Sequence, residues 1–185
     1  EDWIGDHHPG EVLVLKDSGY DDRRIDKIIM QKKWDAIGSI KKIDCAKTIT
    51  DGVKTKKFKR VDLMFKDLRG HSPWGTIRIP KGNAKKKKMR RYRARQSVGT
   101  LKGLVDREVI LVCSECPKSK KKLYLMSTNT KVSIRQIILG YIHRWNVELF
   151  HKDIKSYLGL EDLGVHNFTS QEAHVHWVYV AYLLL

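Results

Sequence analysis

Apolar positions fall in short continuous runs near the start of the chain, in scattered groups through its middle, and at helical spacing toward its end. The run Glu11-Val-Leu-Val-Leu-Lys16 predicts a short buried strand, because it is apolar and rich in β-branched residues. Asp17-Ser-Gly-Tyr20 reads as a turn. Asp21 and Asp22 then supply N-cap chemistry for a helix over 22–32, with Ile25, Ile28 and Ile29 on one face. Trp34 to Ile40 predicts the next strand. Strand, turn, helix and strand in that order are an α/β signature.

From about 44 to 121 the pattern changes. Short strand candidates at Arg60–Phe65, Gly75–Ile79 and Arg107–Val112 alternate with Gly- and Lys-rich turns, and the spacing predicts no helix. A further strand is expected at Leu123–Ser127. Beyond it the pattern is helical. Ser133 is a candidate N-cap for one long helix over 134–158 that ends near Gly159, and Ser170 for a second running to the end of the chain. The expected organisation is therefore an α/β core segment over 1–43, a β-rich basic insertion over 44–121, and a core strand with two C-terminal helices over 122–185.

Charge sharpens this picture. In 185 residues, 37 Lys and Arg stand against 21 Asp and Glu, a formal net charge of +16. That surplus points to a polyanionic partner, nucleic acid being the commonest, although a merely basic soluble protein has the same composition. The excess is concentrated in the insertion, where Lys81 to Arg95 contains no acid and includes Lys85, Lys86, Lys87, Lys88, Arg90 and Arg91. Such a run suits phosphate tracking better than sequence reading; a solvated tip is the plainer alternative. The cysteines Cys45, Cys113 and Cys116, with no targeting segment in view, predict a reducing cytoplasm rather than a disulfide scaffold. The longest apolar stretch, Val175 to Leu185, is too short to span a bilayer. Without an initial Met, and with Leu183-Leu184-Leu185 closing the sequence inside an apolar pattern, the chain is expected to be a piece of a longer catalytic domain.

Two places carry candidate chemistry. Asp17 stands at the carboxyl end of the first strand, where open α/β sheets bind ligands, and Gly19 allows close backbone approach. An Asp there is also an ordinary turn former. The second place is the long helix. At about 100° per residue, with Tyr141 at zero, Arg144 falls near 300°, Glu148 near 340° and Lys155 near 320°. One face thus presents a phenol, a guanidinium, a carboxylate and an ammonium; an i,i+4 surface ion pair explains Arg144 and Glu148 equally well.

The spacing Tyr141-x2-Arg144-x3-Glu148-x6-Lys155 resembles the signature of the insertion-sequence-four transposases, a family with DDE catalytic chemistry. Leu13-Val-Leu-Lys-Asp17-Ser-Gly-Tyr20 is similar to the strand carrying that family's second catalytic Asp. Arg144-Trp-Asn-Val-Glu148-Leu-Phe-His-Lys-Asp-Ile-Lys155-Ser-Tyr-Leu-Gly resembles its catalytic helix, and His174-Val-His-Trp-Val-Tyr its last helix. The similarity spans essentially the whole chain.

The resemblance implies a ribonuclease-H-like α/β core, incomplete here, with a β-rich insertion and C-terminal helices. It implies that Asp17 and Glu148 bind Mg²⁺ or Mn²⁺ in a two-metal site that cuts and rejoins double-stranded DNA at transposon ends. Water attacks first and frees a 3′-OH, which then attacks the opposite strand or the target. Tyr141, Arg144 and Lys155 would grip the DNA. Trp74, in the insertion, would hold a flipped base, a role that related transposases give to an aromatic there; a small-domain core Trp is the plainer reading. The family's first Asp lies well upstream of its second, and only 16 residues precede Asp17, so Asp2 and Asp6 are not expected to be catalytic. The implied setting is the cytoplasm of a bacterium or archaeon, in association with the nucleoid, with a homodimer in the active complex. The rival class is a non-catalytic DNA-binding remnant of a decayed or repurposed transposase. A zinc site from Cys113, Cys116, His174 and His176 has weaker support, since a single CxxC lacks a second well-spaced pair.

Overall fold

The structure, a computed structural model, describes the chain apart from residues 1–11, 18, 20–21, 51–52, 55–56, 69–71, 81–88, 105–106, 117–118, 163, 165–166 and 185. The chain divides into two compact units, Glu1–Tyr141 and Ile142–Leu185.

Among the described residues, the first unit is built on a nine-stranded sheet. Strand β1 (Leu13–Lys16) leads through α1 (Arg23–Gln31) to β2 (Asp35–Ser39), and the two strands pair in parallel, as a helical crossover requires. The Asp22 side chain caps α1 by accepting from the Arg24 backbone N–H at 2.8 Å. The buried side of α1 differs from the expected Ile25–Ile28–Ile29 stripe. Asp26 and Ile29 are buried while Ile28 is 55% exposed, because a charge network described below draws Asp26 inward.

After β2 come β3 (Cys45–Thr50), β4 (Val53–Lys54), β5 (Lys59–Arg60), α2 (Val61–Asp67), β6 (Gly75–Pro80), β7 (Met89–Leu101), β8 (Val109–Glu115) and β9 (Lys122–Ser127). The sheet order is β1-β2-β9-β8-β7-β3-β4, with β5 on β3 and β6 on β7. Strand β9 therefore returns to lie beside β2, and everything between them in sequence loops out from two adjacent strands. All pairings other than β1–β2 are antiparallel.

Two elements correct the sequence reading of this region. Residues 61–67 are helical, where Arg60–Phe65 was expected to be a strand and no helix was expected. Val61, Leu63 and Phe65 alternate like a strand, yet the buried residues are Val61, Met64, Phe65 and Leu68, at helical spacing, and Leu63 is 43% exposed. The arginine-rich 89–101 segment is one long strand, β7, which the basic composition concealed.

The sheet has two apolar faces. One holds Val61, Met64 and Phe65 of α2 against Leu111, Tyr124 and Met126. The other holds Ile137 and Ile138 of helix α3 (Ile134–His143) against Ile37, Val112 and Leu125. A Cβ on Gly140 would come within 2.9 Å of Ile37 Cδ1, so this glycine lets α3 lie close on the strands. Ser133 caps α3, as expected, with the Gln136 N–H donating to Ser133 Oγ at 3.3 Å, and Gln136 completes a capping box by accepting from the Ser133 N–H at 2.8 Å.

The expected single helix over 134–158 is interrupted. Arg144 separates α3 from α4 (Trp145–Tyr157), and the Val147 N–H bonds to the Arg144 carbonyl at 3.0 Å, a tighter i,i+3 turn. In the second unit α4 packs against α5 (Phe168–Leu184). Phe150 stacks on Tyr179 at 5.5 Å between ring centres and meets Tyr182 edge-on at 4.6 Å. Asn167 caps α5 by accepting from the Thr169 N–H at 2.9 Å, three residues before the expected Ser170. Among the described residues no helix is long and apolar enough to cross a membrane.

Candidate active site

Asp17 lies one residue past β1, at the carboxyl end of the parallel β1–β2 pair, and is half-buried. This is the strand-end position at which α/β sheets present ligand groups. The residue before it anchors it. Lys16 is 3% exposed, and its ammonium is paired with the fully buried Asp26 carboxylate. Asp26 also accepts from Arg23 Nη1 at 3.0 Å, and Arg23 Nη2 reaches Asp44 at 3.0 Å. Lys16 sits opposite Gly38 in the β1–β2 register, where a Cβ would come within 3.1 Å of the Lys16 stem. The missing side chain of Gly38 is thus the slot for the lysine. Sequence reading missed this network. Its signal was a lysine closing an apolar strand, with an acid on the inward side of the next helix.

Tyr141 is partly buried against the α3 face of the sheet, which also contacts Leu15 of β1. In the second unit Glu148 occupies the first turn of α4 and pairs with Arg144 at 2.7 Å. The Arg144 side chain is 14% exposed and that of Glu148 43%. Lys155, two turns further along α4, is paired with Glu161. The i,i+4 ion pair therefore forms as the plainer reading anticipated, on a carboxylate that stays accessible to solvent.

Lys85, Lys86, Lys87 and Lys88 lie outside the described residues. Arg90 and Arg91 are exposed on β7, and Arg90 Nη1 donates to the Tyr92 hydroxyl at 3.3 Å. Trp74 is half-buried and packs against the α2 side of the core, with the Arg93 and Arg95 guanidinium carbons 5.2 and 4.8 Å from its ring centre. Cys113 is 1% exposed in the same core, and burial pushes its thiol up to about 11, which disfavours the thiolate that zinc needs. His174 Nε2 is engaged in donating to the Gly159 carbonyl at 3.0 Å.

The sequence matches the transposase DDE domain family over residues 2–184. The chain belongs to that family. No curated protein matches it. The mixed α/β architecture, a large sheet with helices on both faces, fits the ribonuclease-H-like fold of a DDE transposase domain, and transposases act on DNA. DDE domains generally use divalent metals. Among the described residues no group of three or more His, Cys, Asp or Glu is gathered as a metal site.

Proposed function

We propose that the chain is catalytic-domain sequence of an insertion-sequence-four type transposase, which cleaves and joins DNA strands at transposon ends. The observation that carries this reading is Asp17 at the carboxyl end of the parallel pair, in a chain that belongs to the DDE family. Asp17 and Glu148 are the proposed metal ligands and catalytic carboxylates. Divalent cations held there would supply the charge that steadies the attacking and leaving oxygens of an in-line displacement. The chain's own part is to fix those carboxylates and to hold the DNA. Arg144 and Lys155 offer cations to phosphate, and Tyr141 offers a hydroxyl. Trp74, Arg90, Arg91 and the run Lys85 to Lys88 extend the DNA surface into the insertion.

Segments 1–43 and 122–185 are proposed as core and 44–121 as the insertion. Strand β2 pairing directly with β9 supports that division, because the intervening strands leave and re-enter between neighbours. Action as a homodimer beside the nucleoid of a bacterial or archaeal cell belongs to the same reading. With the family's first Asp unassigned, the 185-residue chain by itself is proposed to be inactive in strand cleavage. The alternative, a DNA-binding remnant without catalysis, is favoured by the Arg144–Glu148 and Lys155–Glu161 pairs, in which these charges already satisfy one another.

Titration of the chain with Mn²⁺, followed by the loss of the free-ion electron-spin signal, separates the two. The catalytic reading expects binding that Asp17→Asn and Glu148→Gln each weaken. Binding unaffected by both would overturn the ligand assignment, and DNA affinity retained without any metal binding would favour the remnant.

A further inference from the structure

The α2-facing side of the sheet ends in a cleft of about 340 Å³ lined by Lys66, Pro73, Trp74, Arg93, Arg95, Glu115 and Lys122. Strand register explains why these charges meet. Arg93 of β7 lies opposite Glu115 of β8, which lies opposite Lys122 of β9, so one row across three strands reads cation, anion, cation. The next row inward is Arg95, Cys113 and Tyr124. Burial holds both acidic groups of that inner row neutral, the Cys113 thiol at about 11 and the Tyr124 hydroxyl at about 12, so it contributes only the arginine's charge. Glu115 is also shared with Lys120, 4.0 Å away. Among the described residues, four cations thus line a cleft with one carboxylate.

Arg95 gives the cleft a fixed floor. It is 4% exposed, and its guanidinium carbon lies 5.5 Å from the Phe65 ring centre and 4.8 Å from that of Trp74. Cation–π contact on two rings holds a guanidinium in place while leaving its charge intact. Arg93 also lies over Trp74, and Ser72 ties the segment before Trp74 to β7 through a 2.6 Å bond from its hydroxyl to the Gln96 carbonyl. Trp74 therefore spends its ring on two arginines of the cleft and acts as their wall.

We propose that this cleft is a phosphate-binding site, taking the sugar–phosphate backbone of a DNA strand that runs across β7, β8 and β9 at the Arg93–Glu115–Lys122 row. Arg93 presents N–H groups that suit phosphate oxygens, the buried Arg95 adds positive charge beneath it, and Lys66 and Lys122 add point charges at the rim. The site rests on the reading of the chain as a DNA-binding transposase domain, and gives Trp74 a different task from holding a base.

The probe is a duplex of arbitrary sequence, bound over a series of salt concentrations. Arg93 and Lys122 are exposed, so Arg93→Gln and Lys122→Gln leave the core intact, which near-ultraviolet circular dichroism checks. Each is expected to weaken binding and to lower the slope of log affinity against log salt by about one. Lys102→Gln, in the turn beyond β7, is expected to leave the slope unchanged. Wild-type binding with unaltered slopes in both cleft variants would overturn the phosphate site alone. Loss of affinity confined to Trp74→Leu, and to duplexes with an unpaired base, would replace it with a base-holding site. A wild-type chain that binds no duplex would overturn the DNA reading and the cleft with it.

Discussion

The Lys16 ammonium meets the Asp26 carboxylate in a space closed to solvent, one residue from Asp17. Opposite charges buried together are held by each other, and removing one strands its partner. Asp26→Ala is therefore expected to destabilise the chain by about 3–5 kcal/mol. Arg23 would keep its contact with Asp44, whereas Lys16 would lose its charge partner. Replacing both, as Lys16→Met with Asp26→Leu, should recover most of the loss. Urea midpoints for the single and double variants check this, and a double variant as unstable as the single would show that the pair is not the source.

Cys113 predicts a pH dependence. Its thiol is pushed up to about 11 by burial, from an ordinary value of 9.0, so the folded chain keeps the proton in a range where the unfolded chain releases it. Between those values the unfolded state binds fewer protons, and stability falls as pH rises. Below pH 9 the contribution is fully present. Comparing the wild type with Cys113→Ala from pH 8 to 11 isolates it from the lysines, and the wild type should lose stability more steeply above pH 9. A thiol reagent at pH 8 should modify Cys45 and Cys116, which are half-buried, well before Cys113.

Glu148 should separate stability from function. Glu148 is 43% exposed and Gln keeps an acceptor for the part-buried Arg144, so Glu148→Gln should move the denaturation midpoint less than Asp26→Ala does. The same change should lower Mn²⁺ affinity by at least about tenfold, a loss that altering a residue that merely supports a ligand can cause. A variant that loses stability and metal binding together would make Glu148 a structural residue.

Strand cleavage is the most direct test of the two-carboxylate reading. Because no group of three acids is gathered among the described residues, the chain is expected not to nick transposon-end duplex in Mn²⁺. Cleavage by the 185-residue chain, abolished by Glu148→Ala, would mean that another of its own acids completes the site.

The sequence carried the fold where one physical signal dominated. Apolar runs marked β1, β2, β8 and β9, and side-chain capping marked α1 and α3. It misled where two signals competed. Val61, Leu63 and Phe65 alternate like a strand, yet tertiary burial selected Val61, Met64 and Phe65 and made α2. Met89 to Leu101 hid a strand because charge masked its inward positions, and Arg95 turned out to be a core residue. Of the site, the placement of Asp17 beyond a strand and the Arg144–Glu148 spacing were legible, since both are local. The break at Arg144 was not, because its residues are all compatible with continuous helix. The charge network behind Asp17 was hidden for another reason: it depends on which side of α1 meets β1, and on a glycine across the strand pair.

The adjacency of β2 and β9 has a consequence for how the chain comes together in time. Ile37 pairs with Ser127, so closing that ladder joins positions far apart in sequence. Distant pairings carry a loop-closure entropy that must be met before the contacts reward it, and they slow folding. The β6–β7 hairpin and the β7–β8–β9 meander are local, and can form early as a template. The β1–α1–β2 unit is local too, and it joins the meander only through the distant β2–β9 ladder. A lesion in that meander is therefore expected to slow closure of the β2–β9 ladder, far from where the side chain itself was changed.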